Sequence, residues 1–287
     1  MPKRILFLIA LIGSGVVTPV AQAQVLLPYT LQQDQRDLSR EAQRLYNTAL
    51  ALTQLQQYEQ ALSRAVLAAQ LAPERADVWL LLGTLYVQNK KIDQGISSLN
   101  QAQKLNPKNA DVLFTLGSAF FQKGDYSTAI QKLQGGLKIN PDNLQGLFDL
   151  GNAYYRSNRY PEAVRSYEKA VLKKKDFWPA LNNIGLINYE LGKLPEAIRA
   201  WQRSIDIDKK AAEPQLALAV ALYRQGKQAE AFRLGETALR NDSRYASMDY
   251  LKENLWGDKL LADTKKFLQT PKIRAALTLG SSDKSDK

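Results

Sequence analysis

The chain has 287 residues, a net charge of +11, no cysteine and no histidine. The two missing residue types remove disulfides, thiolate chemistry, imidazole catalysis and most transition-metal sites together. The positive charge is spread out: of the six windows defined below, none carries more than +3.

In chain order, residues 1–23 come first (MPKRILFLIALIGSGVVTPVAQA), with a basic start at Lys3–Arg4, an apolar run Ile5–Val17 and Ala21-Gln22-Ala23. These are the three zones of a secretory signal, so export with cleavage near Ala23 is expected. The apolar run is short for a membrane span, and Gly13, Gly15 and Pro19 weaken it. The alternative is an uncleaved N-terminal anchor, with membrane association through residues 5–20. Residues 24–41 form a lead-in whose polar second half runs into the first helix.

From residue 42 to 245 one pattern recurs every thirty-four residues without insertion or deletion, in windows starting at Ala42, Ala76, Ala110, Leu144, Trp178 and Ala212. The eighth place is always small (Ala49, Gly83, Gly117, Gly151, Gly185, Ala219), as are the twentieth and twenty-seventh. A side chain larger than a methyl there would hold paired helices apart. Each window predicts one helix over about its first thirteen places and a second over places eighteen to thirty. Proline supports this register: Pro73, Pro107 and Pro141 end windows, while Pro161, Pro179, Pro195 and Pro214 fall in first helical turns. A single window cannot cover its own apolar face, so stability must come from stacking on neighbours. Late departures are Lys175, Lys209 and Ser243 at the closing proline, and Gln215 and Gln228 at places expected to be apolar or aromatic.

After residue 245 the period fails. Residues 246–279 predict capping helices, with Tyr245–Leu255 and Asp258–Leu268 joined at Trp256–Gly257 and a third short piece before Gly280. Met248, Leu251, Leu255, Leu260, Leu261 and Phe267 are the side chains expected to cover the last repeat. Residues 280–287 are polar and charged, and are expected to be disordered.

The order of wide aromatic, Leu-Gly, aromatic, Ala and closing Pro over thirty-four residues resembles the tetratricopeptide repeat (TPR) family. The resemblance covers residues 42–245 and implies an all-α, right-handed α-solenoid of six TPR helix pairs with a C-terminal helical cap. The segment Glu253–Pro271, ENLWGDKLLADTKKFLQTP, is also similar to the caps of cyanobacterial and plastid TPR proteins, several of which assist photosystem assembly or chlorophyll synthesis. With the export signal, the expected location after cleavage near Ala23 is the periplasm or the thylakoid lumen.

No nucleophile–base arrangement can be built, and Asp206 and Asp208 lie at a helix end with no second acidic pair placed opposite. The expectation is therefore no enzyme, no cofactor and no metal. In the TPR family the first helices line a concave groove. Carried onto this sequence, the groove places give Tyr46, Leu80, Phe114, Phe148 and Asn182 at the fifth place. They give Phe121, Tyr155, Tyr189 and Tyr223 at the twelfth, and Asn152, Asn183, Arg156 and Arg224 beside them. The aromatics are expected to form a partly solvent-accessible ladder for an extended segment of a partner protein. The asparagines are expected to hold that segment's backbone. The competing reading of the ladder is packing between neighbouring first helices. A clamp for a partner's C-terminal carboxylate needs lysine or arginine where this chain has Phe148, Glu213 and Ala217, so that mode is not expected.

The sequence thus predicts a scaffold that binds proteins and assists assembly of a membrane or envelope complex. The alternative is an envelope polysaccharide or cell-wall helper that binds glycan in the same groove. Nucleic acid is not expected, because the export signal argues against it. The Lys173–Lys174–Lys175 run reads chiefly as compensation of a helix dipole, with an acidic-lipid or nucleic-acid contact as the minority reading.

Overall fold

The computed structural model describes residues 35–282. The expected signal segment, the lead-in before residue 35 and residues 283–287 lie outside the described residues. The first helices of the six repeats are α1 (Gln35–Gln54), α3 (Ala76–Gln88), α5 (Ala110–Lys123), α7 (Leu144–Arg156), α9 (Trp178–Glu190) and α11 (Ala212–Arg224). Their partners are α2 (Tyr58–Leu71), α4 (Ile92–Leu105), α6 (Tyr126–Ile139), α8 (Tyr160–Lys173), α10 (Leu194–Ile207) and α12 (Gln228–Asn241). A single 3₁₀ turn, Ser243–Ala246, then leads to α13 (Met248–Glu253), α14 (Asp258–Leu268) and α15 (Pro271–Ser282). All the regular structure among the described residues is helical, and the molecule is an all-α, right-handed TPR solenoid.

Each pair closes on its small eighth place. A methyl at Gly83 would sit 2.6 Å from Leu99 Cγ, and one at Gly117 2.5 Å from Leu133 Cγ. At Gly151 and Gly185 the same space is filled by the rings of Tyr167 and Trp201. Leu99, Leu133, Tyr167 and Trp201 all stand at the twenty-fourth place, so a glycine at the eighth is matched by a large side chain at the twenty-fourth. In the outer repeats the eighth place is Ala49 or Ala219, and the twenty-fourth shrinks to Ala65 or Gly235. A large side chain at the twenty-fourth place thus accompanies glycine at the eighth, a small one accompanies alanine, and Gly235 leaves a gap.

The turn inside every pair is the same device. The fifteenth place is left-handed in all six repeats: Gln56, Lys90 and Asn158 have φ of 59°, 60° and 56°, and Gly124, Gly192 and Gly226 have 84°, 77° and 80°. Hydrogen bonds such as Gln57 N to Leu52 O and Gln56 N to Thr53 O satisfy the last carbonyls of the first helix. The late substitution at Gln215 is also absorbed. Its Nε2 donates to Lys209 O at 2.7 Å, as Trp79 Nε1 donates to Pro73 O at 2.8 Å, both six residues back.

First helices of consecutive repeats approach one another (α3 with α5, α5 with α7, α9 with α11) more than second helices do. They therefore form the inner, concave wall. Gly280–Ser282 are the end of α15 rather than part of a disordered tail. That helix is anchored by Ile273, which is fully buried. Among the described residues no helix is long and apolar enough to cross a membrane.

Candidate partner-binding groove

The C-terminal helices do more than cover the end of the stack. α14 packs on α9 and α11, two neighbouring first helices, and α15 packs on α12. The segment 245–268 therefore lies along the inner wall of repeats 5 and 6 and reaches the end of α7 in repeat 4. Arg156 Nη2, on α7, donates to Lys252 O at 2.9 Å. The Glu190 carboxylate at the end of α9 accepts from the backbone N–H groups of Lys259 and Leu260 at 3.1 and 3.0 Å. It thus caps the start of α14 with a negative charge, where a helix dipole favours one. Further along α14, Asp263 accepts from Tyr189 Oη at 2.8 Å and pairs with Arg224 at 3.2 Å.

Phe267 ends this run. Its ring lies 5.4 Å from Tyr223 and 6.0 Å from Phe232, and occupies the space that a methyl at Gly235 would need. The gap at the twenty-fourth place of the last repeat is thus a socket for the chain's own tail. Trp256 is buried beside α11, and its Nε1 donates to Glu213 Oε1 at 3.0 Å. Tyr245 Oη lies 3.4 Å from the other oxygen of Glu213. Burial pushes the Glu213 carboxyl up to about 7, against donors that pull it down. The neighbouring Asn182 Oδ1 is a buried oxygen with no hydrogen-bond partner among the described residues.

This arrangement changes the reading of the expected groove residues. Most rings of the expected ladder are engaged in packing. Phe114 is wedged between Gly136 and Gly146, and Phe148 lies 5.6 and 5.3 Å from Tyr167 and Phe177. Phe121 meets Tyr126 at 5.4 Å, and Tyr155 meets Tyr160 at 5.6 Å. Tyr189 meets Trp201 at 5.8 Å and is 1 % exposed. Expected solvent access at Tyr155 and Tyr189 is corrected to burial, because each ring fills the seam beside its own second helix, and Tyr189 also lies under α14.

The asparagines are likewise engaged. Tyr167 Oη and Asn183 Nδ2 donate to Asn152 Oδ1 at 2.7 and 3.1 Å, and Asn182 Nδ2 donates to Asn183 Oδ1 at 3.2 Å. These amides hold one another, so the expectation that they meet a ligand backbone gives way to a buried polar seam joining repeats 4 and 5. Arg156 and Arg224 are spent on the tail.

What stays accessible is the wall of repeats 1–3. Tyr46 is half-buried beneath the Arg75 guanidinium, 5.2 Å from the ring centre, and Leu80 is half-buried. Around them Asn47, Leu50, Gln88 and Gln122 are exposed, and Thr84, Thr115 and Ser118 half-buried. The C-terminal helices do not pack on α1, α3 or α5. Where the open wall meets the filled one stands Asp149, which accepts from Gln145 Nε2 at 2.8 Å. Burial raises its carboxyl to about 6. Among the described residues no group of acidic side chains is placed to hold a metal ion.

Sequence reasoning missed Glu190, Glu213, Trp256, Asp263 and Phe267 as groove residues. The signal that points to them is at the last repeat, where inner-wall places five, six and nine are Leu216, Ala217 and Val220. In repeat 3 places six and nine are Thr115 and Ser118.

Comparison with known proteins agrees with the architecture. A family model described as the cytochrome c-type biogenesis protein H TPR domain matches residues 64–177, and a second tetratricopeptide repeat model matches residues 148–214. No curated protein matches the sequence. Among solved structures, MamA is similar at 22% identity over 61% of this chain and 95% of that one, with a TM-score of 0.54. MamA from Desulfovibrio magneticus RS-1 is similar at 14% identity over 60% of this chain and 97% of that one, with a TM-score of 0.56. YrrB, described as a TPR protein with an unusual peptide-binding site, is similar at 19% identity over 63% of this chain and 90% of that one, with a TM-score of 0.52. At these identities the structures bear on the fold alone. With helix pairs at a constant thirty-four-residue step and repeat models matching from residue 64 to 214, the chain belongs to the tetratricopeptide repeat family.

Proposed function

We propose that the chain is a non-catalytic scaffold that holds partner polypeptides against the open inner wall of repeats 1–3. We place that role in the assembly of a membrane or envelope complex. The observation that carries this reading is the division of the groove. Repeats 5 and 6 are covered by segment 245–268, which reaches the end of α7, whereas the wall of repeats 1–3 offers exposed Asn47, Leu50, Gln88 and Gln122 with none of the C-terminal helices packed on it. Amide and hydroxyl side chains of this kind suit the backbone of an extended segment, since they donate and accept. Binding by repeats of this family supports the reading, as does the peptide-binding site named for YrrB. The assembly role leans on the match to a cytochrome c-type biogenesis TPR domain over residues 64–177 and on the expected export signal. The glycan alternative rested on a free aromatic ladder, and it loses support because most of those rings are packed.

Crosslinking followed by mass spectrometry on native membranes tests the proposal. Wild type is expected to crosslink a polypeptide through α3 and α5, and Thr84→Arg with Ser118→Arg to lose it with helicity unchanged. Crosslinks confined to α7–α11, or retention of the partner by that double variant, would refute it.

A further inference from the structure

Every connection from one repeat to the next leaves the same end of a second helix, so these turns share one edge of the solenoid. Four consecutive turns read KLNPKN (104–109), KINPDN (138–143), LKKKDF (172–177) and DIDKKA (206–211). Leu105, Ile139, Leu172 and Ile207 are exposed, at 38, 46, 77 and 38 %. They make up half of the large apolar side chains exposed among the described residues, and they recur near the thirty-four-residue step. Interleaved with them are eight lysines and no arginine. Lys173 pairs with Asp142, and Lys209 with Asp206. Lys104, Lys108, Lys138, Lys174, Lys175 and Lys210 form no ion pair among the described residues. Acids in these turns number four (Asp142, Asp176, Asp206, Asp208), leaving a net charge of +4.

From this juxtaposition we infer that the edge formed by the turns after α4, α6, α8 and α10 docks on an anionic lipid surface, its leucines and isoleucines entering the headgroup boundary. Dipole compensation at helix ends accounts for lysines there, but it does not account for four exposed aliphatic side chains among them. The pattern fits lipid better than nucleic acid. A nucleic acid gains from arginine forks and aromatic faces and nothing from exposed leucine. A charged bilayer attracts lysines as point charges and also accepts aliphatic side chains. The inference is independent of the groove and of the N-terminal segment.

Because the chain has no cysteine, single labels can be placed cleanly. Leu172→Cys and Ile139→Cys, carrying an environment-sensitive fluorophore in the full-length chain, are mixed with vesicles of phosphatidylcholine with or without phosphatidylglycerol. Leu191→Cys, 46 % exposed on the opposite edge, is the control. A blue shift is expected at 172 and 139 with phosphatidylglycerol vesicles only, absent at 191 and reversed by high salt. Lys174→Glu with Lys175→Glu should weaken the response at least about 25-fold, roughly fivefold for each lysine replaced. No shift at 172, an equal shift at 191, an equal response to pure phosphatidylcholine, or a shift produced instead by single-stranded RNA would overturn the inference. Burial of residues 5–20 in the vesicle would act on all three labels alike, so it cannot imitate the expected pattern.

Discussion

Two regions of one solenoid, α3–α5 and α9–α11, follow the same thirty-four-residue rule and end in different states. In α11 every residue from Ala212 to Leu222 is buried, whereas α3 and α5 keep groove places such as Gln88 and Gln122 exposed. The contrast comes from a few inner-wall places. Leu216, Ala217 and Val220 make the last wall apolar, and an apolar wall is stable only when covered. Thr115 and Ser118 make the third wall polar enough to face water. The repeat code fixes how helices pair, and the residues it leaves unspecified decide which part of the groove the chain keeps for itself.

The largest expected effect that tests this contrast comes from Phe267→Ala. Emptying the socket at Gly235 should cost about 3–5 kcal/mol. Amide exchange should rise in α14, α9 and α11 while α3 and α5 stay protected; an even rise along the molecule would erase the distinction between the halves. Next is Gly117→Leu, expected to cost about 1–3 kcal/mol by overpacking against Leu133. Its melting temperature should drop, and the added exchange should centre on α5 and α6. An unchanged melting temperature would mean that the seam is not where the eighth and twenty-fourth places put it.

Stability should also depend on pH through two acids, half-buried Asp149 and buried Glu213. Asp149 and Glu213 have folded-state values of about 6 and about 7, both above their ordinary 3.8 and 4.5. Across that window the folded chain binds more protons than the unfolded one, so these groups make stability fall as pH rises. Their contribution levels off above the Glu213 value. Glu213→Gln keeps an acceptor for Trp256 and should remove most of the slope, seen in denaturant midpoints from pH 5 to 8. A slope unaffected by that change would place the charge of Glu213 elsewhere. The smallest effect is Lys90→Gly at the left-handed fifteenth place (φ 60°). It should stabilise the open half by about 1 kcal/mol, read as a rise in melting temperature; a fall would mean that Lys90 contributes more than its backbone strain costs.

Much of the fold is legible in the sequence because packing at a seam is local and periodic. Glycine at the eighth place and a bulky residue at the twenty-fourth can be read directly, as with Gly117 and Leu133. The groove is less legible, because its occupant comes from outside the period. Nothing in the spacing of Glu253–Pro271 shows that α14 turns back along α9 and α11 instead of stacking beyond α12. That choice depends on one glutamate cap at Glu190, one acid at Asp263 and one ring at Phe267. The aromatics at place twelve are visible but ambiguous: rings such as Phe121 and Tyr155 stand five residues before Tyr126 and Tyr160, and that spacing returns them to their own second helices.

Hydroxyl-radical footprinting of the native protein tests most directly whether the tail fills the far half of the groove. Trp256 and Tyr189, 3 and 1 % exposed, should be oxidised as slowly as the core residue Trp201. Half-buried Tyr46 and Tyr86 in the first two repeats should react much faster. Oxidation of Trp256 and Tyr189 at the rate of Tyr46 would contradict a self-filled wall in repeats 5 and 6.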